Sequence, residues 1–145
     1  AADMADVVKS KAAEQDIIIM TAAVADFCPS HPADEKIKKN DSSYESVIEL
    51  ERTEDILSYL GAHKAKGQLI CGFSMETQNM LENSKAKLAK KNADMIVANN
   101  LKVAGAGFGT DTNVVTLITA DDCTELEIMD KSCVAARIMD RLLKM

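Results

Sequence analysis

No stretch constrains this chain more than Asp16-Ile17-Ile18-Ile19-Met20-Thr21-Ala22-Ala23-Val24-Ala25-Asp26-Phe27. Its first half is an unbroken apolar run rich in β-branched residues. It has no polar face to turn to water, so it predicts a strand buried on both sides, inside a sheet covered by helices. The second half changes character. Small side chains allow a ligand close to the backbone, and the run finishes on the carboxylate of Asp26 beside Phe27. Open α/β sheets bind ligands outside the C-terminal ends of their parallel strands. The run therefore ends where a binding site is expected.

Two more such strands follow, each separated from the last by a helical pattern. Gln68 to Phe73 and Asp94 to Asn99 read as strands. Ala2 to Gln15 reads as a helix with Met4, Val7, Val8 and Ala12 at helical spacing. A second helix is predicted from Thr53, with Thr53 as N-cap, Glu54 and Asp55 in the first turn, and Ile56, Leu57 and Leu60 buried. Gly67 is its stop signal. A third runs from Gln78 to Lys91 over Leu81, Ser84 and Leu88 or Ala89. The last, Ser132 to Leu143, buries Val134, Ile138, Leu142 and Met139. Val114 to Thr119 and Glu125 to Met129 predict a hairpin around Asp121-Asp122.

Strands alternating with helices imply an α/β, Rossmann-like three-layer fold with a mostly parallel sheet and right-handed crossovers. It would carry a protruding two-stranded arm and end in a β-hairpin plus helix. Residues 1–145 read as a single domain, with the arm at about 34–51. In the arm, Lys36-Ile37-Lys38-Lys39 is expected to pair with Val47-Ile48-Glu49-Leu50-Glu51, opposing Lys to Glu. The topology brings Asp26, Glu76 and Asn99 to one sheet edge.

Composition narrows the function. The 145 residues are enough for one core, and a hydrophobic share of 47% indicates a globular chain. A net charge of -6 argues against a nucleic-acid or anionic-membrane partner, while leaving room for a local basic patch. No apolar run approaches the roughly 18 residues of a membrane span. Cys28, Cys71, Cys123 and Cys133 form no CxxC pair, and His31 and His63 are the only histidines. Four reduced thiols in a cytoplasmic protein are expected rather than a zinc site.

Three features carry candidate chemistry. Lys87 and Lys91 share a helix face, with Lys85 and Lys90 nearby, and read either as a solvated basic surface or as anion ligands. Lys36, Lys38 and Lys39 read either as guards of an exposed edge or as a lid bringing a flexible point charge to a polyphosphate. Gly105-Ala106-Gly107-Phe108-Gly109-Thr110 lacks the Lys-Ser/Thr ending of a P-loop and reads better as a flexible connection. No Gly-rich turn joins an early strand to a helix, as a dinucleotide-binding oxidoreductase requires.

Ala22-Ala23-Val24-Ala25-Asp26-Phe27, Glu35-Lys36-Ile37-Lys38-Lys39, Asp55-Ile56, Gly72-Phe73 with Glu76-Thr77, Lys87-Leu88, Lys91-Asn92 with Asp94, Ala98-Asn99, and Gly107-Phe108 with Asp111 and Asn113 occur in that order. Together they resemble bacterial-type phosphopantothenoylcysteine synthetase, the C-terminal part of the bifunctional coenzyme A biosynthesis decarboxylase/synthetase. The resemblance covers nearly the whole chain. It implies a phosphopantothenate–cysteine ligase that uses CTP and Mg2+. The carboxylate of 4'-phosphopantothenate becomes an acyl cytidylate, and cysteine then forms the amide. It further implies that Met20, Thr21, Ala22, Asp26, Glu54, Asp55, Ile56, Leu57, Phe73, Lys87 and Lys91 bind the nucleotide. Lys36 would be the catalytic arm lysine on the triphosphate, and a homodimer would form through the arm. The family's Gly-rich turn and phosphopantothenate-handling segment are expected upstream of Ala1, as is an FMN decarboxylase domain fused in the parent protein. Thr53-Glu54 stands where the family carries Asn-Pro. The other reading is a non-catalytic nucleotide-binding or dimerisation fragment of the same enzyme.

Overall fold

The computed structural model describes residues 1–36, 47–76, 79–100 and 109–145, with Glu76 described in its backbone only. The elements in chain order are α1 (Ala2–Ala12), β1 (Ile17–Met20), β2 (Phe27–Pro29), β3 (Leu50–Arg52), α2 (Ile56–His63), β4 (Leu69–Glu76) and α3 (Met80–Lys90). They continue with β5 (Met95–Asn100), β6 (Thr112–Asn113), β7 (Val115–Ile118), β8 (Cys123–Glu125), β9 (Met129–Asp130) and α4 (Lys131–Leu142). A five-stranded sheet runs β1-β4-β5-β7-β8. Its β1, β4 and β5 are parallel, and β7 and β8 are antiparallel additions. This is the mixed, mostly parallel α/β architecture that the alternating pattern predicts.

Side chains alternate across a strand, so each apolar run supplies two faces. Ile18, Met20 and Ile70 pack with Ala5 of α1 and with Ile56 and Leu60 of α2. Cys71, Met95, Val97, Val115 and Leu117 pack with Val134, Ile138 and Leu142 of α4, joined by Ile17, Ile19, Leu69 and Phe73. Helix α3 covers the first face. Ser84 and Ser74, both buried, share a 2.7 Å hydroxyl–hydroxyl hydrogen bond, and Ser74 continues the Ile70, Gly72 face of β4. Gly72 permits a close approach there, since a Cβ on it would lie 2.6 Å from Leu57 Cδ2.

Several expected boundaries move. Strand β1 lies at the sheet edge with its four residues half-buried, while β5 and β7 form the fully buried interior. Leu50–Arg52 pairs antiparallel with Phe27–Pro29. Residues 37–46, including the rest of the expected arm strand with Lys38 and Lys39, lie outside the described residues, as does the Gly105 to Phe108 stretch. The hairpin partner of β7 is Cys123–Glu125 rather than 125–129, with Ile118 opposite Cys123. Met129–Asp130 instead pairs with Thr112–Asn113. The tight Thr119–Asp122 turn, where the Thr119 amide donates to Asp122 O, closes the hairpin early. Leu81 and Met139 are exposed, so those two helix faces are narrower than expected. α1 ends at Ala12, three residues short of the expected Gln15.

Candidate functional site

Asp55, not Thr53, caps α2: its carboxylate accepts from the Ser58 amide at 2.9 Å, and the helix begins at Ile56. Thr53 has a different task. Its hydroxyl donates to Ala25 O at 2.5 Å and its amide to Asp26 O at 3.0 Å. These two bonds tie the small-residue segment after β1 to the start of α2. The sheet brings the end of β4 alongside, and α3 lies across the opening.

The result is a cleft of about 490 Å3 at the β1 and β4 strand ends, a volume ordinary for a small-molecule site. Ten of the twelve candidate residues line it: Met20, Ala22, Asp26, Glu54, Asp55, Ile56, Leu57, Phe73, Lys87 and Lys91. Thr21 and Lys36 do not. Thr21 is exposed beside the cleft, and Lys36 is exposed at the end of the first described segment. Asn99 also stays out of it: its side-chain amide donates to Ser74 O and its Oδ1 accepts from Asn113. Val24, Ala25, Thr53, Asn83, Ala86 and Lys90 also line the cleft, beyond the twelve candidate residues. A signal for three of them was present, because Asn83, Ala86, Lys87, Lys90 and Lys91 fall on one face of a helix.

The cleft's charges are arranged unequally. Lys91 Nζ, largely buried, bonds the Asp55 carboxylate and donates to Ser58 Oγ at 3.0 Å. Partial desolvation pushes the Asp55 carboxyl up, but the Lys91 ammonium and the Ser58 amide together outweigh it and hold the group below its usual value. Glu54 turns to α1, where Lys9 Nζ meets its Oε2 at 2.7 Å while lying 5.0 Å from the Tyr59 ring centroid. The hydrogen bond from Lys9 to Glu54 raises the Lys9 ammonium's pKa. The carboxylate that replaces the family's Asn-Pro pattern is thus matched by a cation outside the cleft. Lys87 Nζ donates to Phe73 O at 2.8 Å, leaving two of its three donors for a ligand.

Asp26 has no ion pair or side-chain hydrogen bond among the described residues. Mg2+ binds through one or two carboxylates plus substrate phosphates and keeps several waters. Asp26 lines the same cleft as Lys87, Lys90 and Lys91, and one uncommitted carboxylate fits that pattern. Among the described residues no group of three or more His, Cys, Asp or Glu side chains could form a closed cage for a metal.

Comparison with known proteins gives the chain's family and fold. The family model described as DNA/pantothenate metabolism flavoprotein C-terminal domain matches residues 1–145. The coenzyme A biosynthesis bifunctional protein CoaBC of Bacillus subtilis (strain 168) is 48% identical over 143 residues, covering 98% of this chain and 34% of that protein. A cysteine/cysteine sulfinic acid decarboxylase of an unknown prokaryotic organism is 45% identical over 144 residues, covering 99% of this chain and 40% of that protein. The chain therefore spans little more than a third of the length of these curated relatives. A crystal structure of the C-terminal domain of a CoaBC protein superposes with a TM-score of 0.77 at 41% identity, covering 100% of this chain and 64% of that one. A Cab2 mutant in complex with phosphopantothenate-cysteine shares the fold, with a TM-score of 0.64 at 19% identity. With a family match over its full length and a close relative in CoaBC, the chain belongs to the DNA/pantothenate metabolism flavoprotein C-terminal domain family.

Proposed function

We propose that this chain is the nucleotide-binding part of a CTP-dependent phosphopantothenate–cysteine ligase of coenzyme A biosynthesis. The observation that carries the reading is the cleft itself. Four separated segments, 20–26, 53–57, Phe73 and the face of α3, converge around one volume with lysines along one wall. The two curated relatives described above have different names over a shared stretch, so the reading rests on the site residues rather than on either name.

In this scheme the floor formed by Met20, Ala22 and Phe73 receives the base and ribose, with Asp26 directed at the nucleotide. Lys87 and Lys91 hold it from α3, and Lys36 reaches the triphosphate from the arm. A carboxylate oxygen of 4'-phosphopantothenate attacks the α-phosphorus, and the bond to the β-phosphate oxygen breaks with release of pyrophosphate. The cysteine amine then attacks the acyl carbon, CMP leaves, and the amine proton passes to solvent. Positioning and neutralisation of the pyrophosphate's growing charge are what such a site contributes. Asp26 would hold Mg2+, which would supply further charge neutralisation when bound.

Pyrophosphate release by the full-length protein, dependent on CTP and 4'-phosphopantothenate together, is the deciding measurement. Release with neither dependence, or none at all, removes the ligase reading. Lys36→Gln is expected to lower turnover by at least about tenfold with the fold intact, in line with the loss of one charge-stabilising contact. An unchanged rate takes Lys36 out of the mechanism. Calorimetry with CTP and ATP on the same chain checks nucleotide choice, and equal affinities would overturn CTP selection.

A further inference from the structure

The lysines of the cleft are not equivalent. Lys91 is held by Asp55 and Ser58, and Lys87 by the Phe73 carbonyl. Lys90 lines the same cleft, is exposed, and makes no ion pair or side-chain hydrogen bond among the described residues. It sits three residues after Lys87 and seven after Asn83, so it extends the cleft-facing row of α3 by one turn. A lysine held by protein acceptors meets a ligand from a fixed position, with only the donors it has left. An unpartnered lysine can follow the ligand's charge with all three donors.

We propose that Lys90 is a polyphosphate-contacting residue, the adaptable cation of the cleft, which binds the outer phosphates of a nucleoside triphosphate while Lys87 and Lys91 form the fixed wall. This assignment rests on the nucleotide reading above and goes beyond it. It separates the basic face of α3 by role and places the triphosphate's distal end toward the last turn of that helix. The neighbouring Lys85 is exposed and does not line the cleft, which makes it the matched control.

The test compares wild type, Lys90→Gln and Lys85→Gln by calorimetry with CTP, cytidine and inorganic tripolyphosphate at low and moderate salt. Lys90→Gln is expected to weaken CTP and tripolyphosphate by about three- to fivefold at low salt, the range of one exposed charge contact. The loss should shrink as salt rises. Cytidine binding and the thermal midpoint should not change, and Lys85→Gln should behave as wild type. Unchanged affinity for both polyphosphates in Lys90→Gln, an equal loss with cytidine, or an equal effect of Lys85→Gln each overturns the assignment. If wild type binds tripolyphosphate through Lys90 but shows no CTP binding, the nucleotide reading falls and the polyanion contact stands. If it binds neither, both fall.

Discussion

At Asp55 one carboxylate caps a helix and holds a cleft lysine, so its charge is tied to the site's geometry. Its folded-state pKa lies below the ordinary 3.8. The stability this contributes is fully present above that value and is lost as pH falls through the lowered folded value. Asp55→Asn keeps a capping oxygen but removes the charge. At neutral pH it should cost less than about 1 kcal/mol, because the pair is partly solvent-screened. The difference from wild type should shrink in urea titrations as the pH falls and vanish below the lowered folded-state value, where the Asp55 carboxyl is protonated in both states. A gap that persists in acid would show that shape rather than charge is at stake. Gly61 supports the same lysine from behind. A Cβ there would lie 1.8 Å from Lys91 O, and the Asn92 side chain donates to Gly61 O at 2.7 Å. Gly61→Ala should therefore lower stability by about 1–3 kcal/mol, read as a shifted urea midpoint, and should weaken ligand binding as Lys91 is displaced.

At the scale of elements, polar side chains set how the strands and helices meet. Asp94 opens β5, and its Oδ2 accepts from the Ile70 amide at 2.7 Å while its Oδ1 meets Lys64 Nζ at 2.9 Å. One residue thus pins β5 to the start of β4 and to the loop after α2. Asp94→Ala should cost about 1–3 kcal/mol by leaving a part-buried amide unsatisfied, with early hydrogen exchange at the β4–β5 ladder as its signature; exchange no faster than in wild type would count against this role. Most elements were legible from local pattern. The strands were found because apolar β-branched runs have few other uses, and α4 because Val134, Ile138 and Leu142 keep helical spacing. The expected arm partner of 47–51 lies almost wholly outside the described residues, whereas the pairing of Leu50–Arg52 with Phe27–Pro29 had no sequence signal, because a three-residue strand is too short to show a period. Thr53 and Asp55, two residues apart, both carry a capping oxygen, and the bonds of Thr53 to Ala25 and Asp26 leave the cap to Asp55.

For the whole molecule, the two apolar clusters on opposite faces of the sheet make the core a single cooperative object. Cys71 reports on it. Burial, with a smaller contribution from Asp94, pushes its thiol up to about 12, while Cys123 and Cys133 are exposed. A thiol reagent should label Cys123 and Cys133 quickly and Cys71 only at the rate of global opening. Fast labelling of Cys71 would contradict this packing. Phe27 and Leu50 on the β2–β3 ribbon, and Val47 and Ile48 just before it, are exposed apolar side chains, the kind of surface that marks an interface. We propose that the arm-mediated homodimer implied by the resemblance uses Leu50. Leu50→Lys should lower the dimer fraction in sedimentation at equal concentration, and a monomer mass for wild type at every concentration would exclude that interface.

Chemical character along the chain was enough to announce a three-layer α/β domain and a strand whose small-residue end invites a ligand, since burial and local propensity act over neighbouring residues. With the resemblance, it also named ten residues that meet in one cleft. Distances across the fold decided the remainder. Lys87 and Lys91 became cleft residues, and Lys90 their unpartnered neighbour, only when β4 and α2 packed against α3. Glu54 turned away only because α1 placed Lys9 beside it. Such roles depend on which groups lie within hydrogen-bond reach of one another, which is a property of packing between distant segments.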